Sequence, residues 1–389
     1  MTLAELLIEA CERSASDLVL AGKAPPAAWV RGQLQTLDGF DTPLAVGQVE
    51  RMFRPLLSQA QQDQVRQAGD LDWSANVSEA IEKLHAPPLV APGPAAAAVV
   101  VGAAVSTDCL AGRMRVNLHR QRGDWAAAIR FIPRRIPPLD SLNLPPLVAG
   151  WISRPRGLVL VTGPTGSGKS TTLAALIDRA NEIHDYHVIT LEDPIEYEFE
   201  HGGCLIEQRQ IGQDCPTFAD ALRHVVRQRP DVILVGELRD RETIAAALTA
   251  AETGHLVLGS LHTNSAPGTV ERIIDVFEPA RQNQIRMQLA GTLECILCQN
   301  LLRDRATGGL VPVTEVLLAT TAVRRAIRDG QSHLLAGMLE TNQSLGMHSL
   351  EQDLARLLAE GRISLDDALT LTADPDKLDR RRSNGGLSR

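Results

Sequence analysis

Aromatic side chains are scarce in this chain of 389 residues. Phe, Trp and Tyr together make up 3% of it, so its cores must be aliphatic, and we do not expect a surface that stacks the bases of single-stranded nucleic acid. Basic residues are also outnumbered, with 39 Lys and Arg against 47 Asp and Glu and a net charge of −8. This balance argues against a broad basic footprint for nucleic acid, although a local patch would be compatible with it.

The first residues do not predict an export signal, and the chain has few cysteines. Its first stretch, MTLAELLIEACERSASDL, carries acids where a signal peptide would have an apolar centre. Without export, six scattered cysteines are expected to be reduced thiols of a cytosolic protein. They are Cys11, Cys109, Cys204, Cys215, Cys295 and Cys298. One apolar stretch, 86–105, is alanine-rich and broken by prolines, which indicates a low-complexity insertion rather than a membrane span.

The order of strand-like and helical patterns predicts two domains. Residues 1–132 mix short patterns of both kinds, with the insertion at about 75–110 and a β-hairpin around RQRGD. Residues 133–147 are proline-rich and predict a linker. In 148–372 apolar strands alternate with helices, which predicts an α/β domain with a mostly parallel sheet, helical after about 270. Residues 373–389 are polar and are expected to form a disordered tail.

A glycine-rich loop, GPTGSGKST, stands between an apolar strand and a helix. Its residues are Gly163, Pro164, Thr165, Gly166, Ser167, Gly168, Lys169, Ser170 and Thr171. The spacing and context match a loop whose backbone N–H groups surround phosphate oxygens at a helix N-terminus. Lys169 would reach the β- and γ-phosphates, and the Ser170 hydroxyl would bind Mg²⁺. The loop therefore predicts binding of ATP and Mg²⁺; the alternative is a glycine-rich turn that binds no nucleotide.

A carboxylate follows another buried strand, in the stretch DVILVGELRD. The run Val232–Val235 is apolar throughout, as in a buried parallel strand, and it is followed by Gly236 and Glu237. Ligands of such sheets lie beyond the carboxyl ends of the strands, so Glu237 is expected to face the triphosphate. There it would orient the attacking water or bind the water shell of the metal. The alternative is a glutamate that caps a helix.

Further acids and two histidines lie near other strand ends. The stretch TLEDPIEYEF brings Glu192, Asp193 and Glu196 onto one turn, and magnesium triphosphate would supply a cation among them. The alternative is a solvated acidic loop. His255 and His262 stand at the two ends of one strand, over 20 Å apart at about 3.3 Å per residue. His262 is the better candidate for sensing the γ-phosphate, whereas a structural role would suit His255.

Taken together, four blocks resemble the secretion and type IV pilus ATPase superfamily, and the pilus retraction ATPases most. They are GPTGSGKST, TLEDPIE, ILVGELRD and TAAETGHLVLGSLHT, in the order and spacing of that superfamily. The resemblance implies a PAS-like N-terminal domain joined to a RecA-like ATPase domain. It also implies a cytoplasmic homohexamer, which acts on an inner-membrane pilus platform protein and binds nucleotide between domains.

The resemblance also assigns catalytic roles by position. Arg113 and Arg115, in GRMRVN, match arginines that close onto the nucleotide, where positive charge would stabilise the transferred phosphoryl group. Glu196 matches the Asp-box acid and Glu237 the catalytic glutamate of an atypical Walker B motif. The two histidines match the His-box pair.

Some features depart from the family pattern. The segment AVRRAIRDG differs from the usual form of a region tied to retraction, and Arg229 replaces an acid. Extension and export ATPases usually carry a four-cysteine zinc site. This chain has only Cys295 and Cys298 in that half, with a spacing that predicts core thiols on an apolar helix. Their number favours the retraction branch.

The function that the sequence predicts is Mg²⁺-dependent ATP hydrolysis that drives pilus retraction and twitching motility. One alternative is a pilus-extension or type II secretion ATPase. Another is a non-hydrolysing accessory subunit of a catalytic paralogue. A nucleic-acid motor of the RecA type is a third alternative, which the charge and aromatic content disfavour.

Overall fold

A computed structural model describes residues 1–30, 33–85, 107–132, 134–372, 374–376 and 378. The chain divides into two compact units. The first consists of Met1–Arg135 with the short segment Pro194–Glu198, and the second of Ile136–Asp193 with Phe199–Arg389. Within the described residues, no helix is both long and apolar enough to cross a bilayer.

The first unit is built on an antiparallel sheet. Among its described residues the strands are β1 (Asp17–Ala21), β2 (Ala27–Val30), β3 (Gln33–Thr36), β4 (Asp70–Asn76), β5 (Arg113–Gln121) and β6 (Asp124–Ile132). They lie in the order β3-β2-β1-β6-β5-β4. Its helices are α1 (Leu3–Glu12), α2 (Gln48–Phe53), α3 (Gln59–Ala68), α4 (Val77–His85) and α5 (Thr107–Leu110), with a 3₁₀ turn at Arg54–Leu56.

Local sequence explains several of these elements. Thr2 with Glu5, and Ser58 with Gln61, form capping boxes that satisfy free N–H groups at the starts of α1 and α3. The hairpin predicted around RQRGD is confirmed as β5 and β6. Its turn residues Arg122 and Gly123 both have positive φ, the geometry that suits a two-residue hairpin.

The second unit is built on a mostly parallel sheet, as predicted. Its described strands are β7 (Gly157–Thr162), β8 (His187–Glu192), β9 (Leu205–Gln210), β10 (Val232–Val235), β11 (Leu256–Leu261), β12 (Leu293–Arg303) and β13 (Leu310–Leu318). Their order is β13-β12-β7-β11-β10-β8-β9, and only the pair β12–β13 is antiparallel among these described strands.

Helices cover both faces of this sheet. The described ones are α6 (Lys169–Ile183), α7 (Phe218–Val225), α8 (Arg241–Glu252), α9 (Ala266–Asp275), α10 (Pro279–Thr292), α11 (Thr321–Arg328), α12 (Leu335–Thr341), α13 (Leu350–Ala359) and α14 (Leu365–Leu371), with 3₁₀ turns at Leu139–Leu142, Pro146–Ser153, Ser332–Leu334 and Gln343–Leu345. Alternate residues of β7 show the two layers, since Leu158 and Leu160 pack with α8 to α10, whereas Val159 and Val161 pack with α6. A sheet buried on both faces explains why its strands read as continuous apolar runs.

The prediction of helix throughout the region after about 270 is wrong for two segments. Leu293–Arg303 and Leu310–Leu318 are strands, so Cys295 and Cys298 lie in β12 and not on a helix. Most of β12 is buried, and an unbroken apolar run of this kind does not distinguish a buried strand from a buried helix by its periodicity.

The structure also bears on the predicted insertion, linker and tail. Residues 75–85 and 107–110 belong to β4, α4 and α5, whereas 86–106 lie outside the described residues. Ile136 and Leu139, in the predicted linker, pack against the core of the second unit. Leu378, in the predicted tail, is buried beside α13, and 379–389 lie outside the described residues.

The expectation that all six cysteines are free thiols is wrong for one pair. Cys11 of α1 and Cys109 of α5 form a disulfide, with their Cα atoms 5.4 Å apart. Cys204, Cys215, Cys295 and Cys298 are free and buried. No local pattern indicates this pairing, because 98 positions separate the two residues and only the packing of α1 against α5 brings them together.

Candidate active site

Four neighbouring strands of the second unit end at one edge of the sheet. Because β7, β11, β10 and β8 are parallel, the residues that follow them lie along the same edge. The glycine-rich loop follows β7 and His262 follows β11, while Glu237 comes just after β10 and Glu192 ends β8. The fold thus brings together residues that are up to 99 positions apart in sequence, from Gly163 to His262.

The glycine-rich loop wraps around the ammonium group of its own lysine. Lys169 is buried and its Nζ donates to the carbonyl oxygens of Gly163 and Pro164, at 2.8 and 2.9 Å. Gly163, Gly166 and Gly168 all have positive φ, which carries the chain around this group into α6. The turn therefore fixes the positive charge at the N-terminus of α6, where the helix dipole adds to it.

Strand β12 supports the loop from behind. A Cβ atom on Gly163 would lie 2.1 Å from the backbone oxygen of Gln299, so only glycine fits there. The Gln299 side chain accepts a hydrogen bond of 2.9 Å from the hydroxyl of Thr172 on α6. Sequence reasoning missed Gln299, since nothing in LECILCQNLL marks which residue of the strand faces the loop.

The loop has the features that a phosphate group requires. Within the described part of the chain, the Ser167 hydroxyl is buried and has no hydrogen-bond partner, so it is available to an oxyanion. The Ser170 side chain is exposed on the first turn of α6, where a hydroxyl could bind a metal ion carried by phosphates. Together with Lys169, these residues fit a nucleoside triphosphate with Mg²⁺.

Glu237 is bound by two basic side chains at this edge. Its Oε1 lies 2.6 Å from Nε of Arg239 and 3.2 Å from Nε2 of His262. Burial raises the pKa of the half-buried carboxyl, but the hydrogen bond and charge of Arg239 and the contact with His262 outweigh it and lower the pKa overall. Glu237 is therefore held ionised, in the form that can accept a proton from water.

The glycine before Glu237 sets the distance between neighbouring strands. A Cβ atom on Gly236 would lie 3.1 Å from the carbonyl oxygen of Leu191, tighter than an ordinary contact. The Gly236 N–H donates to that same oxygen at 2.8 Å. Glu192, which follows Leu191, accepts at Oε1 from Thr190 Oγ1 at 2.7 Å and from Gln208 Nε2 at 3.2 Å. Glu192 is thus held at the end of β8 beside the Gly236 backbone.

The structure does not bring His255 to this edge. His255 precedes β11, at the end of the sheet opposite to the glycine-rich loop. Its backbone N–H donates to the Ala250 carbonyl oxygen at 3.2 Å, and its Nδ1 lies 3.0 Å from the same atom. In this position it joins the end of α8 to the start of β11, and its catalytic role remains a prediction.

Three predicted site residues belong to the first unit. Arg113 and Arg115 alternate with core residues of β5 and so share one face of its sheet. Arg113 forms an ion pair with Glu198 and donates to the Ser74 hydroxyl at 3.1 Å. Glu196 lies in Pro194–Glu198, which is also part of this unit. Their catalytic roles remain predictions.

Comparison with known proteins identifies relatives over nearly the whole chain. The family described as type II/IV secretion system protein matches residues 144–370. The uncharacterised protein YggR of Escherichia coli is 39% identical, covering 93% of this chain and 100% of its own length. The type IV pilus retraction ATPase PilT of Pseudomonas aeruginosa is 37% identical (95% and 97%), and its type IV pilus ATPase PilU 34% identical (95% and 88%).

A solved structure gives the same result for the fold. The pilus retraction motor PilT with bound ADP superimposes with a TM-score of 0.81 at 38% identity, covering 98% of this chain and 99% of the other. The mixed α/β architecture predicted from the sequence is therefore confirmed. Two independent kinds of comparison, of sequence and of coordinates, lead to the same group of ATPases.

Proposed function

This chain belongs to the type II/IV secretion system protein family and is an ATP hydrolase resembling the type IV pilus ATPases, and from this we propose that it drives pilus retraction. The observation that carries the proposal is the extent of the likeness to proteins named for retraction. It spans at least 95% of this chain in sequence and in coordinates. A similarity confined to the nucleotide site would support only the ATPase activity, since a site can be shared by motors of different function.

In the proposed reaction Glu237 acts on the attacking water. The carboxylate lies at the sheet edge that carries the glycine-rich loop, and it is ionised, so it can orient a water and accept its proton. Lys169 and the N–H groups of the loop stabilise charge on the phosphoryl group. His262, 3.2 Å from Glu237, links the carboxylate to the end of β11. Mg²⁺, held by Ser170, would neutralise charge on the β- and γ-phosphates.

We assign the remaining predicted residues to the charges of the nucleotide and its metal. Arg113 and Arg115 would add positive charge toward the transferred phosphoryl group, and Glu192 and Glu196 would act on the water shell of the metal. A homohexamer that acts on an inner-membrane pilus platform, in the cytoplasm, completes the proposal.

The test begins with ATP turnover of the purified chain in Mg²⁺, together with its mass in solution. We expect a hexamer that hydrolyses ATP, and we expect Glu237→Gln to abolish turnover while the chain still binds ATP. The matched control is Glu242→Gln, because Glu242 is an exposed glutamate at the start of α8 that forms an ion pair with Arg241. Turnover by Glu237→Gln at the wild-type rate would contradict the role of this residue.

Deletion of the gene separates retraction from extension. Loss of a retraction motor should leave excess pili on the cell surface, whereas loss of an extension motor should leave none. A second candidate is an accessory subunit of a catalytic paralogue, because the segment AVRRAIRDG and Arg229 depart from the family pattern. A folded chain that binds ATP without hydrolysing it would favour that candidate.

A further inference from the structure

Arg239 combines a fixed backbone with an exposed side chain. On one side Leu238 is buried. Its N–H donates to the backbone carbonyl oxygen of Ser260 at 2.9 Å, and its side chain lies against Gly259. On the other side Asp240 caps α8 by accepting from the Thr243 N–H at 2.8 Å. Between these anchors the Arg239 side chain is 68% exposed.

Arg239 and Glu237 pair across one buried residue. Leu238, between them, packs in the core of the second unit. The Arg239 guanidinium reaches Glu237 Oε1 at 2.6 Å, with most of its side chain still in solvent. His262 contacts the same oxygen, so Oε1 has two basic neighbours.

From this geometry we propose that Arg239 is a positioning residue. Its ion pair occupies Oε1 of Glu237 in the resting enzyme, and Arg239 must release that oxygen before a water can be activated there. The inference rests on the proposed role of Glu237 as the base. A carboxylate oxygen that accepts from a guanidinium and contacts an imidazole has little capacity left for a water. Because the Arg239 side chain is mostly exposed, the guanidinium can leave with little loss of packing, and the charge of Asp193 also attracts it.

The charged groups around Glu237 give the proposal a measurable consequence. Those that act on it are Arg239 and His262, while Asp193 acts on Arg239. Removal of the arginine charge should raise the pKa of the Glu237 carboxyl toward its usual range, since Arg239 lowers it more than His262 does. The profile of kcat/KM against pH reports the base of the free enzyme, the form that carries the ion pair.

The experiment compares ATP turnover of the full chain with that of Arg239→Gln across a pH series. At neutral pH we expect kcat to rise about two- to fivefold, because an exposed ion pair contributes up to about 1 kcal/mol, which converts to roughly fivefold in rate. The acid limb of kcat/KM should move to higher pH. Arg241→Gln is the matched control, because Arg241 is an exposed arginine two positions away whose ion pairs are with Glu242 and Glu278.

Each outcome decides the proposal. A higher kcat with a shifted acid limb, in a variant whose melting temperature is unchanged, supports it. A fall in kcat without a shift in the acid limb of kcat/KM overturns it, since an arginine that contacts the phosphoryl group would give that result. If Arg239→Gln folds poorly, Arg239→Met is used in its place, because methionine keeps most of the aliphatic part of the side chain. Lack of ATP turnover by the wild-type chain would overturn the proposed function as well. If the wild type is active and Arg239→Gln has the same kcat and the same pH profile, this inference alone is overturned.

Discussion

Several polar side chains of the second unit are satisfied by residues far away in the sequence. The half-buried His348 is an example, because its Nε2 lies 2.9 Å from the hydroxyl of Thr314 on β13. Asp353 accepts from the N–H and the hydroxyl of that same Thr314, at 2.7 and 3.1 Å. At the scale of single residues, these contacts attach α13 and the segment before it to the sheet.

His348 should make stability depend on pH. Burial lowers the pKa of its imidazole, against a smaller opposing effect of the Asp353 charge, so the folded state holds the proton less well than the unfolded state. The unfolded chain then binds more protons, and this contribution falls as pH drops through the usual histidine pKa of about 6.5 toward the lower folded value. We expect the urea midpoint to decrease over that range, and to decrease less in His348→Gln.

An exposed histidine serves as the control for this prediction. His333 follows α11 and is exposed, so His333→Gln should keep the pH dependence of the wild type. If both variants followed the wild-type curve, the protonation of His348 would not contribute to it.

At the scale of elements, one buried carboxylate joins two helices to the sheet. Glu315 of β13 accepts from the Ala266 N–H at the start of α9, at 2.7 Å, and from the Leu350 N–H at the start of α13, at 3.4 Å. Free N–H groups at a helix N-terminus favour a negative charge. The charge therefore tolerates burial because two helix ends surround it.

Removal of this carboxylate should destabilise the second unit. Glu315→Ala leaves buried helix N–H groups without an acceptor, and we expect the free energy of unfolding to fall by about 2–4 kcal/mol. Urea unfolding of the purified chain measures the change. Glu360→Ala provides the comparison, since Glu360 pairs with Arg356 in solvent, where ion pairs contribute about 0–1 kcal/mol. Equal losses in the two variants would refute the role given to Glu315.

At the scale of the whole molecule, the two units are stabilised in different ways. The core of the second unit is distributed over both faces of a seven-stranded sheet, as far as the described residues extend. The first unit has one principal core among its described residues, together with the Cys11–Cys109 disulfide. A cross-link between residues 98 positions apart restricts the unfolded chain strongly.

Reduction should therefore act on the first unit. We expect its free energy of unfolding to fall by about 2–5 kcal/mol on reduction, or in Cys11→Ser, because the closed loop is long. Unfolded without reductant, the chain should show four reactive thiols, which are the four free cysteines. The double variant Cys11→Ser, Cys109→Ser should be insensitive to reductant. Six reactive thiols in the oxidised sample would contradict the pairing.

Patterns that depend on neighbouring residues were sufficient to predict much of this protein. The loop Gly163–Thr171 needs glycines and a lysine at fixed spacing, and the alternation of apolar runs with helical stretches already indicated a parallel sheet. The position of Glu237 at a strand end followed from the same run. These features are local in sequence, so the order of residues determines them.

Tertiary structure decided whatever depends on residues brought together from far apart. It assigned β12 and β13 as strands, because an apolar run takes its conformation from the partner that it packs against. It placed His262 beside Glu237 and His255 at the other end of β11. The pairing of Cys11 with Cys109 and the support of the glycine-rich loop by Gln299 also span distances that no local pattern encodes. The sequence by itself determined the chemistry available at the site, and the packing of the chain decided which groups meet there.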